Sequence, residues 1–555
     1  MTKNKASKFL MQASIGANMK DIEHLSKIGK KAWIQEQFLK TPNDSCEEKV
    51  DAIWNHFVKD LSENWGRAKI VGNGLVLPYW MYWRMSWWDT ALKTEEVLRH
   101  RIALALSEIL VISDKSILEL NSYGLANYYD MLYKHAFGNY EELLYDVSMH
   151  PCMGVYLTHL NNPKENKEKN IHPDENFARE VMQLFTVGLY ELNLDGTKKV
   201  DKDGNSIATY DNKDIKQVAR VFTGLGPGKY WWPWEDYSSY PVSWGIKENK
   251  VPNIDLSIPM QPFEQWHEKG EKILLKKHKI KKGQSTKEDI KETIKFLVHE
   301  QNTAVFISKK LIQSLTTSNP SKKYIKDISK TFMDNGHGKT GDLKAVISKI
   351  LLHKEASKGV KLKEPMLRTT QILRGFGAYN DSGKLWGTGF NIEQNIKQHP
   401  LSAPSVFNFF QNDYSPHGMI KNKGLVAPEF QLMDAATSIA YVNLMYEWFF
   451  GEDYLLISTK ASSTAFDQPE LDYTKLNKDD LIKLNLKYEK KLAKENPSKL
   501  IDHLSLILTA GRLEDENKKD ILESIKLYKN RADWIVQTTL FMITISPDFT
   551  VEASS

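Results

Sequence analysis

Cysteine is almost missing from this sequence: Cys46 and Cys152 are the only two among 555 residues. Neither stands in a CxxC or similar metal spacing, so a cysteine zinc site is excluded, and so is a disulfide framework. A single Cys46–Cys152 bridge stays open. Cys152 follows His150 and Pro151, but a Cys–His nucleophile also needs a third, orienting group. Long apolar runs are missing too. No stretch reaches the roughly 18 residues that a membrane-crossing helix requires, so no span is expected. The first residues, MTKNKASKFLMQASIGANMK, carry charge but no apolar centre and no cleavage signal. The expected location is therefore the cytoplasm, or the periplasm or cell exterior where a leader has been removed. Charge of one sign is in small surplus, with a net of +5, so nucleic-acid binding would need clustering. Lysines do cluster at Lys276–Lys282 (KKHKIKK), but without interleaved aromatics or a reader motif. A solvated loop accounts for them, and no nucleic-acid partner is expected. P-loop, dinucleotide, HExxH and kinase signatures are absent, and so is any internal repeat.

What is present is helical periodicity over most of the chain. Hydrophobic residues make up 41% and charged residues 26%, as in folded soluble proteins. The length suits one large helical body with insertions. We expect a mainly α, multi-helical body over residues 1–440, with a C-terminal helical extension over 441–555 packing on it. Residues 7–40 read as two short helices, with Asn18 and Asp21 starting the first and Gly29 ending it. TEEVLRHRIALALSEILVIS (94–113) reads as a helix whose notable charges are Arg99, Arg101 and Glu108. KEPMLRTTQILRGFGA places Glu364, Arg368 and Arg374 on another, and Glu429 follows Pro428 at a positive helix end. Asp195–Tyr210 reads as a β-hairpin turning at Asp203-Gly204. Asp201, Asp203 and Asn205 alternate as in a calcium loop, but the closing glutamate is missing, which leaves a turn.

The chain is organised around His172–Thr197, HPDENFAREVMQLFTVGLYELNLDGT. Pro173 fits a first helical turn, and Ala178, Val181, Leu184, Phe185 and Leu189 continue at helical spacing. Glu175, Arg179 and Gln183 are four apart and share a face. Two readings stand side by side: a buried helix whose charges pair internally, or a polar face that lines a site. On the second reading His172, Glu175, Arg179 and Glu180 are candidate catalytic residues, with His399 as a further acid or base. Glu175 and Glu180, five apart, point in rather different directions for a simple carboxylate pair. A divalent cation on His172, Asp174 and Glu175 is a further alternative to simple capping.

Two stretches concentrate rings. PYWMYWRMSWWD (78–89) can stack on sugars or fill a core, and core packing is the expectation. Residues 225–285 form a long irregular insertion rich in proline, glycine and aromatics. Insertions of this length inside a helical chain commonly act as lids or binding loops. Trp231, Trp232, Trp234, Tyr237 and Trp244 make it the candidate ring-lined surface, and Arg220, Asp413 and Tyr414 join the candidate ligand-binding residues. At 398–418 lie Ser402, Ser405 and Asn408. Ser405 does not stand in a Gly-x-Ser-x-Gly elbow, so a hydrolase triad is not indicated.

PDENFAREVMQLFTVGLYELNLDG resembles the signature of DUF1800, a family common in bacteria. Further segments resemble it in the family's order: ASKFLMQASIGA, WIQEQF, LRHRIALALSEILVIS, AFGNYEELLYDVSMHPCMGVYL, ARVFTGLG, GDLKAVISKILLHKEA, KEPMLRTTQILRGF, HPLSAPSVFNFFQNDYSPHG and GLVAPEFQL. Together they cover most of residues 6–440. The resemblance implies a mostly helical, often exported protein. It also implies genomic company with a second family, DUF1501, related to sulfatases and phosphatases. Other members carry Glu and His where this chain has Gln183 and Phe185, so a metal set at those positions is not matched here. Two functions follow as expectations. One is an exported or envelope-associated accessory protein that binds polysaccharide or cell-surface material beside a partner enzyme of the DUF1501 type. The other is a hydrolase using carboxylate and histidine, or a metal, at the start of the 174–190 helix.

Overall fold

Helix starts are capped as their residues require. Asn18 Oδ1 accepts from the backbone N–H groups of Lys20 at 2.8 Å and Asp21 at 3.2 Å, and Asp21 returns a bond to Asn18 N at 3.0 Å. Asp211 with Asp214, Ser285 with Glu288, and Asp434 with Thr437 close the same reciprocal box on their helices. Where two helices were expected before residue 40, a computed structural model shows three: Lys3–Ala13, Met19–Ile28 and Lys30–Leu39. Thr2 caps the added one. The structure describes residues 1–57, 64–65, 68–71, 74–76, 78–229, 254–387, 389–451, 479 and 481–552. Among these residues the architecture is mainly α, with only two- and three-stranded sheets.

Two of the most completely buried helices lie in the core. In Trp80–Lys93 every residue from Trp80 to Ala91 is buried. Its rings meet edge to face, Trp87 on Trp88 with centroids 5.0 Å apart and Trp54 on Tyr82 at 4.9 Å. The ring-rich run is therefore core and carries no sugar-stacking face. Val97–Ser107 is buried from Leu98 to Ser107, its Arg99, His100 and Arg101 included. One apolar core extends from Ala6 to Phe549 and takes in both.

The organising helix is shorter than its periodicity suggests, running only from Asn176 to Gln183. Tertiary partners take the carbonyls that would continue it. Asn302 Nδ2 donates to Val187 O and Tyr190 O, and Lys310 Nζ donates to Leu184 O. Gly188 then turns the chain with φ +72°. The expected hairpin follows as single bridges, Tyr190–Ala208, Leu192–Lys198 and Val200–Ser206. It closes on Gly204 at φ +83°, with Asp201 Oδ1 accepting from Asp203 N and Asn205 N at 2.9 Å. The acidic alternation at this tip is thus a turn.

Strand pieces in the insertion pair locally, Leu225–Gly226 with Gln261–Pro262 and Lys272–Leu274 with His278–Ile280. The lysine run on the second hairpin sits among carboxylates: Lys276 on Asp211 at 2.7 Å, Lys277 on Glu300 at 2.9 Å and Lys279 on Glu271 at 2.6 Å. From the C-terminal side, Pro497–Thr509 packs on Lys3–Ala13 and Pro365–Gly375, and Ala532–Ile545 packs on Ala435–Phe450. The strand Val551–Glu552 pairs antiparallel with Lys361–Leu362. Among the described residues no helix is long and apolar enough to cross a membrane. Cys46 and Cys152 are both buried, free thiols.

Candidate functional site

The polar head of the Asn176–Gln183 helix divides between solvent and interior. His172 is exposed and 3.5 Å from Glu165. Asp174 serves the helix start, its Oδ1 accepting from Asn176 N at 2.8 Å and Thr158 Oγ1 at 2.9 Å. Glu175 pairs with Arg179 at 3.6 Å on the surface. Among the described residues no three histidine, cysteine or carboxylate side chains gather as metal ligands, so His172, Asp174 and Glu175 do not fit a shared cation. Glu180 alone turns inward and is 5% exposed, with Oε2 making no hydrogen bond among the described residues. Burial pushes its carboxyl up, against the pull of Arg179 and Lys310. Lys310 in turn is held down to about 8 by burial, with Glu180 opposing.

Lys310 forms part of the wall of a small cavity that Glu108 and Glu429 also line, and these two carboxyls belong to a buried ionic cluster drawn from far along the chain. Val97–Ser107 brings Arg101 and, at its C-cap, Glu108. Glu364 stands at the N-cap of Pro365–Gly375, Lys361 lies on the strand before it, and Glu429 lies in the 3-10 turn Pro428–Leu432. Lys361 Nζ is 2.9 Å from Glu429 Oε1 and 3.5 Å from Glu364 Oε1, and Arg101 Nη2 is 3.8 Å from the same Glu364 oxygen. Gln398 Nε2 donates to Glu108 Oε1 at 3.2 Å and to Glu364 Oε2 at 3.1 Å. Met366 N donates at 3.1 Å to Gln398 Oε1, which fixes the orientation of the amide.

The electrostatics separate the two carboxyls. Burial alone would raise Glu364, but Lys361 and Arg101 outweigh it and hold that carboxyl below its usual value. Burial, then the charge and hydrogen bond of Glu364, push Glu108 well up. Of the two, Glu108 is therefore the carboxyl that keeps its proton to higher pH. Glu429 is raised by burial, with Lys361 opposing. Two small cavities, about 10 and 20 Å³, share Glu108 and Asn408 in their walls; Gln398 lines the first, and Lys310, Gln313, Ser314 and Glu429 line the second. The larger is of a size to hold one water. Arg101 Nε, Gln313 Oε1, Glu364 Oε1, Asn408 Oδ1 and Glu429 Oε2 make no hydrogen bond among the described residues. Asn408 and Leu401 both have left-handed backbone, φ +67° and +54°, strain of the kind that concentrates where a loop is held for a purpose.

The raised Glu108 carboxyl has a measurable signature. A carboxyl whose folded pKa exceeds its unfolded one gives stability at low pH that is lost as pH rises between the two values. Glu108→Gln has no proton to lose. Its unfolding midpoint should gain on that of the wild type as pH rises from about 5 to about 9; a gap constant over that range, measured in urea, would contradict the assignment of the proton to Glu108.

A second ionic cluster lies beside the first. Arg84 donates to Asp114 Oδ2 at 2.8 and 3.0 Å, to Glu393 Oε2 at 2.7 Å and to Ser402 Oγ at 2.9 Å. His399, three residues before Ser402 in sequence, is fully buried against Trp87 and Trp88. Its Nε2 accepts from Trp88 Nε1 at 3.1 Å, while Nδ1 donates to Pro400 O at 3.1 Å. Burial, then Arg84, keep the ring neutral, so in this arrangement it packs and orients without exchanging a proton. Arg220 bonds Gln217 and Glu271 O, both at 3.0 Å, away from the cavity. Asp413 is exposed, and Tyr414 is held by backbone bonds to Gln411 and Ala427. Trp231, Trp232, Trp234, Tyr237 and Trp244 lie outside the described residues.

Sequence reasoning marked Arg101, Glu108, Glu364 and Glu429 one by one but not as a group, and it passed over Lys310, Lys361 and Gln398. The available signal was a charge, Glu108, directly following the otherwise apolar run IALALS. Residues 8–551 match the model of a family described as "Protein of unknown function (DUF1800)", a match that extends past residue 440. No curated protein and no solved structure matches the chain.

Proposed function

We propose, for a chain that belongs to the DUF1800 family, a hydrolase in which Glu108 is the general acid and Glu364 the general base. The observation that carries this reading is the proton-sharing pair of carboxyls with separated pKa values, set beside two small cavities. In the step that follows, Glu364 takes a proton from the attacking water and Glu108 gives its proton to the leaving group. The proton then passes back from Glu364 to Glu108 across their hydrogen bond, restoring both groups. Lys361 and Arg101 keep Glu364 ionised, and Lys310, near neutrality at about 8, is a further proton carrier on the wall. The loop bearing Leu401 and Asn408 is the part that must move to admit a substrate. Glu180, behind Lys310, is the one member of the expected helix-head set that reaches this wall.

The test is a hydrolysis screen over glycans, esters, amides and phosphoesters with wild type, Glu108→Gln and Glu364→Gln. Loss of a general acid or base should lower the rate about 10²–10⁴-fold. A substrate-free check is the infrared carbonyl band of a protonated carboxylic acid at neutral pH, present in the wild type and lost in Glu108→Gln. Persistence of that band in the variant, or undiminished turnover in both variants, would overturn the reading.

An accessory, glycan-binding role is supported by a different observation. Tyr446 (58% exposed) and Trp534 (42%) stand on the surface of Ala435–Phe450 and Ala532–Ile545, backed by Phe450 and Phe541. Exposed rings of this kind stack on sugar faces. Glycan-array binding that falls in Tyr446→Ala and Trp534→Ala supports the role; binding that is absent, or unchanged in both, removes it.

A further inference from the structure

A concentration of cations around one cavity lies away from the carboxyl pair. A recess of about 360 Å³ is lined by Asn4, Lys5, Lys8, Phe9, Gln12, Lys30, Ser357, Lys358, Ala510 and Arg512. Five of these are cations and none is a carboxylate. They come from three separate parts of the chain, the first and third helices of the N-terminal region, the turn Ala356–Lys358 and the residues just after Pro497–Thr509. The fold has therefore brought like charges together, at an electrostatic cost, although the net charge of the whole chain is only +5.

Fixed contacts hold the arrangement. Arg512 Nη2 donates to Asp548 O at 3.1 Å and Val551 O at 2.9 Å. Lys30 Nζ lies over the Phe9 ring at 5.0 Å, and Gln12 Nε2 donates to Ala356 O at 2.8 Å. Lys8 feels the crowding: burial, then Arg512 and Lys30, hold it down to about 8 against the pull of Glu552. Lys30 is lowered by burial and by Lys5.

We propose that this recess binds a phosphorylated small molecule. The volume lies in the range of small-molecule pockets, about 300–1,000 Å³, and exceeds what a bare phosphate fills. A dianionic phosphate neutralises the converging cations, and Phe9 with Ala510 offers an apolar wall to the remainder of the ligand. Lysine and arginine are the side chains that phosphates select, as point charge and as fork. The proposal is independent of the hydrolase reading and shares no residue with it.

The experiment titrates full-length protein with inorganic phosphate, pyrophosphate and glucose 6-phosphate, each against sodium chloride at matched ionic strength. Binding is read by calorimetry and by thermal unfolding. The expected result is saturable binding of pyrophosphate or glucose 6-phosphate, tighter than inorganic phosphate, that weakens at least tenfold in Lys30→Gln/Lys358→Gln. These two lysines are chosen because neither is fully buried, and far-ultraviolet circular dichroism checks that the variant is folded. Calorimetry near pH 8 in buffers of different ionisation heat should also show proton uptake, because the bound anion raises Lys8. The proposal is overturned if chloride reproduces the thermal shift, if the double variant binds as tightly as the wild type, or if none of the three probes binds saturably.

Discussion

Replacing Lys361 with methionine is expected to destabilise the fold by about 3–5 kcal/mol. Lys361 is 3% exposed, and its ammonium serves two carboxylates, Glu364 and Glu429, as well as Gln313 O at 3.1 Å and Ser314 O at 2.6 Å. Methionine keeps the length of the side chain but leaves both carboxyls buried without their main counter-charge. The cost of an unpaired buried charge exceeds what the pair itself contributes, because desolvation is then uncompensated. The loss should also depend on pH. Glu364 is held below its usual value in the fold, so it contributes stability above the ordinary carboxylate range that is lost as pH falls through its folded value. The deficit of Lys361→Met is therefore larger at neutral pH than in acid. Urea midpoints of the two proteins near pH 7 and in mild acid measure it, and coincident midpoints at neutrality would refute it.

The same substitution two residues on should act with the opposite sign. Lys363 is also buried, at 2% exposure, with its ammonium 4.3 Å from the Phe549 ring centroid and no ion pair among the described residues. Burial holds it down to about 7, helped by Arg368 and Arg512 against Glu552. Below pH 7 both folded and unfolded chains carry this proton, and the fold bears the full penalty of a buried ammonium. Between about 7 and the ordinary 10.5 only the unfolded chain is charged, so stability returns as pH rises. Lys363→Met removes the penalty. It should be more stable than the wild type near pH 6 by a few kcal/mol, on the scale of about 1.4 kcal/mol per pKa unit, and the two should converge near pH 10. A variant no more stable than the wild type near pH 6 would show that Lys363 is accommodated in some other way.

The contrast between Lys361 and Lys363 also marks what was legible in the sequence. Helices with strong periodicity or a capping pair, such as Met19–Ile28 under Asn18 and Asp21, are set by residues within a few positions of one another. The ring-rich stretch at Trp80 read as core because buried area dominates the energetics of aromatics. The organising helix ends at Gln183, and beyond it Lys310 and Asn302 take the carbonyls of Leu184, Val187 and Tyr190; no local pattern carries that information. At the site, the helix-head charges His172, Glu175 and Arg179 were visible, but helix phase turned them to solvent and only Glu180 inward. Glu108 and Glu364, far apart in sequence, are bridged only in the fold, by the Gln398 amide, and two lysines two residues apart meet two glutamates in one case and a ring in the other.

The pairing of Lys361–Leu362 with Val551–Glu552 bears on how the protein is made. The first helix rests on Pro497–Thr509, and the strand that presents Lys361 takes its partner from residues near 550. At about 5–20 residues per second of synthesis, roughly half a minute or more separates the birth of the first helix from the emergence of the segments that cover it. Throughout that interval the face of the first helix that meets Pro497–Thr509 stays uncovered, a long window for engagement by chaperones, and the strand that presents Lys361 stays without its partner until translation has passed Glu552.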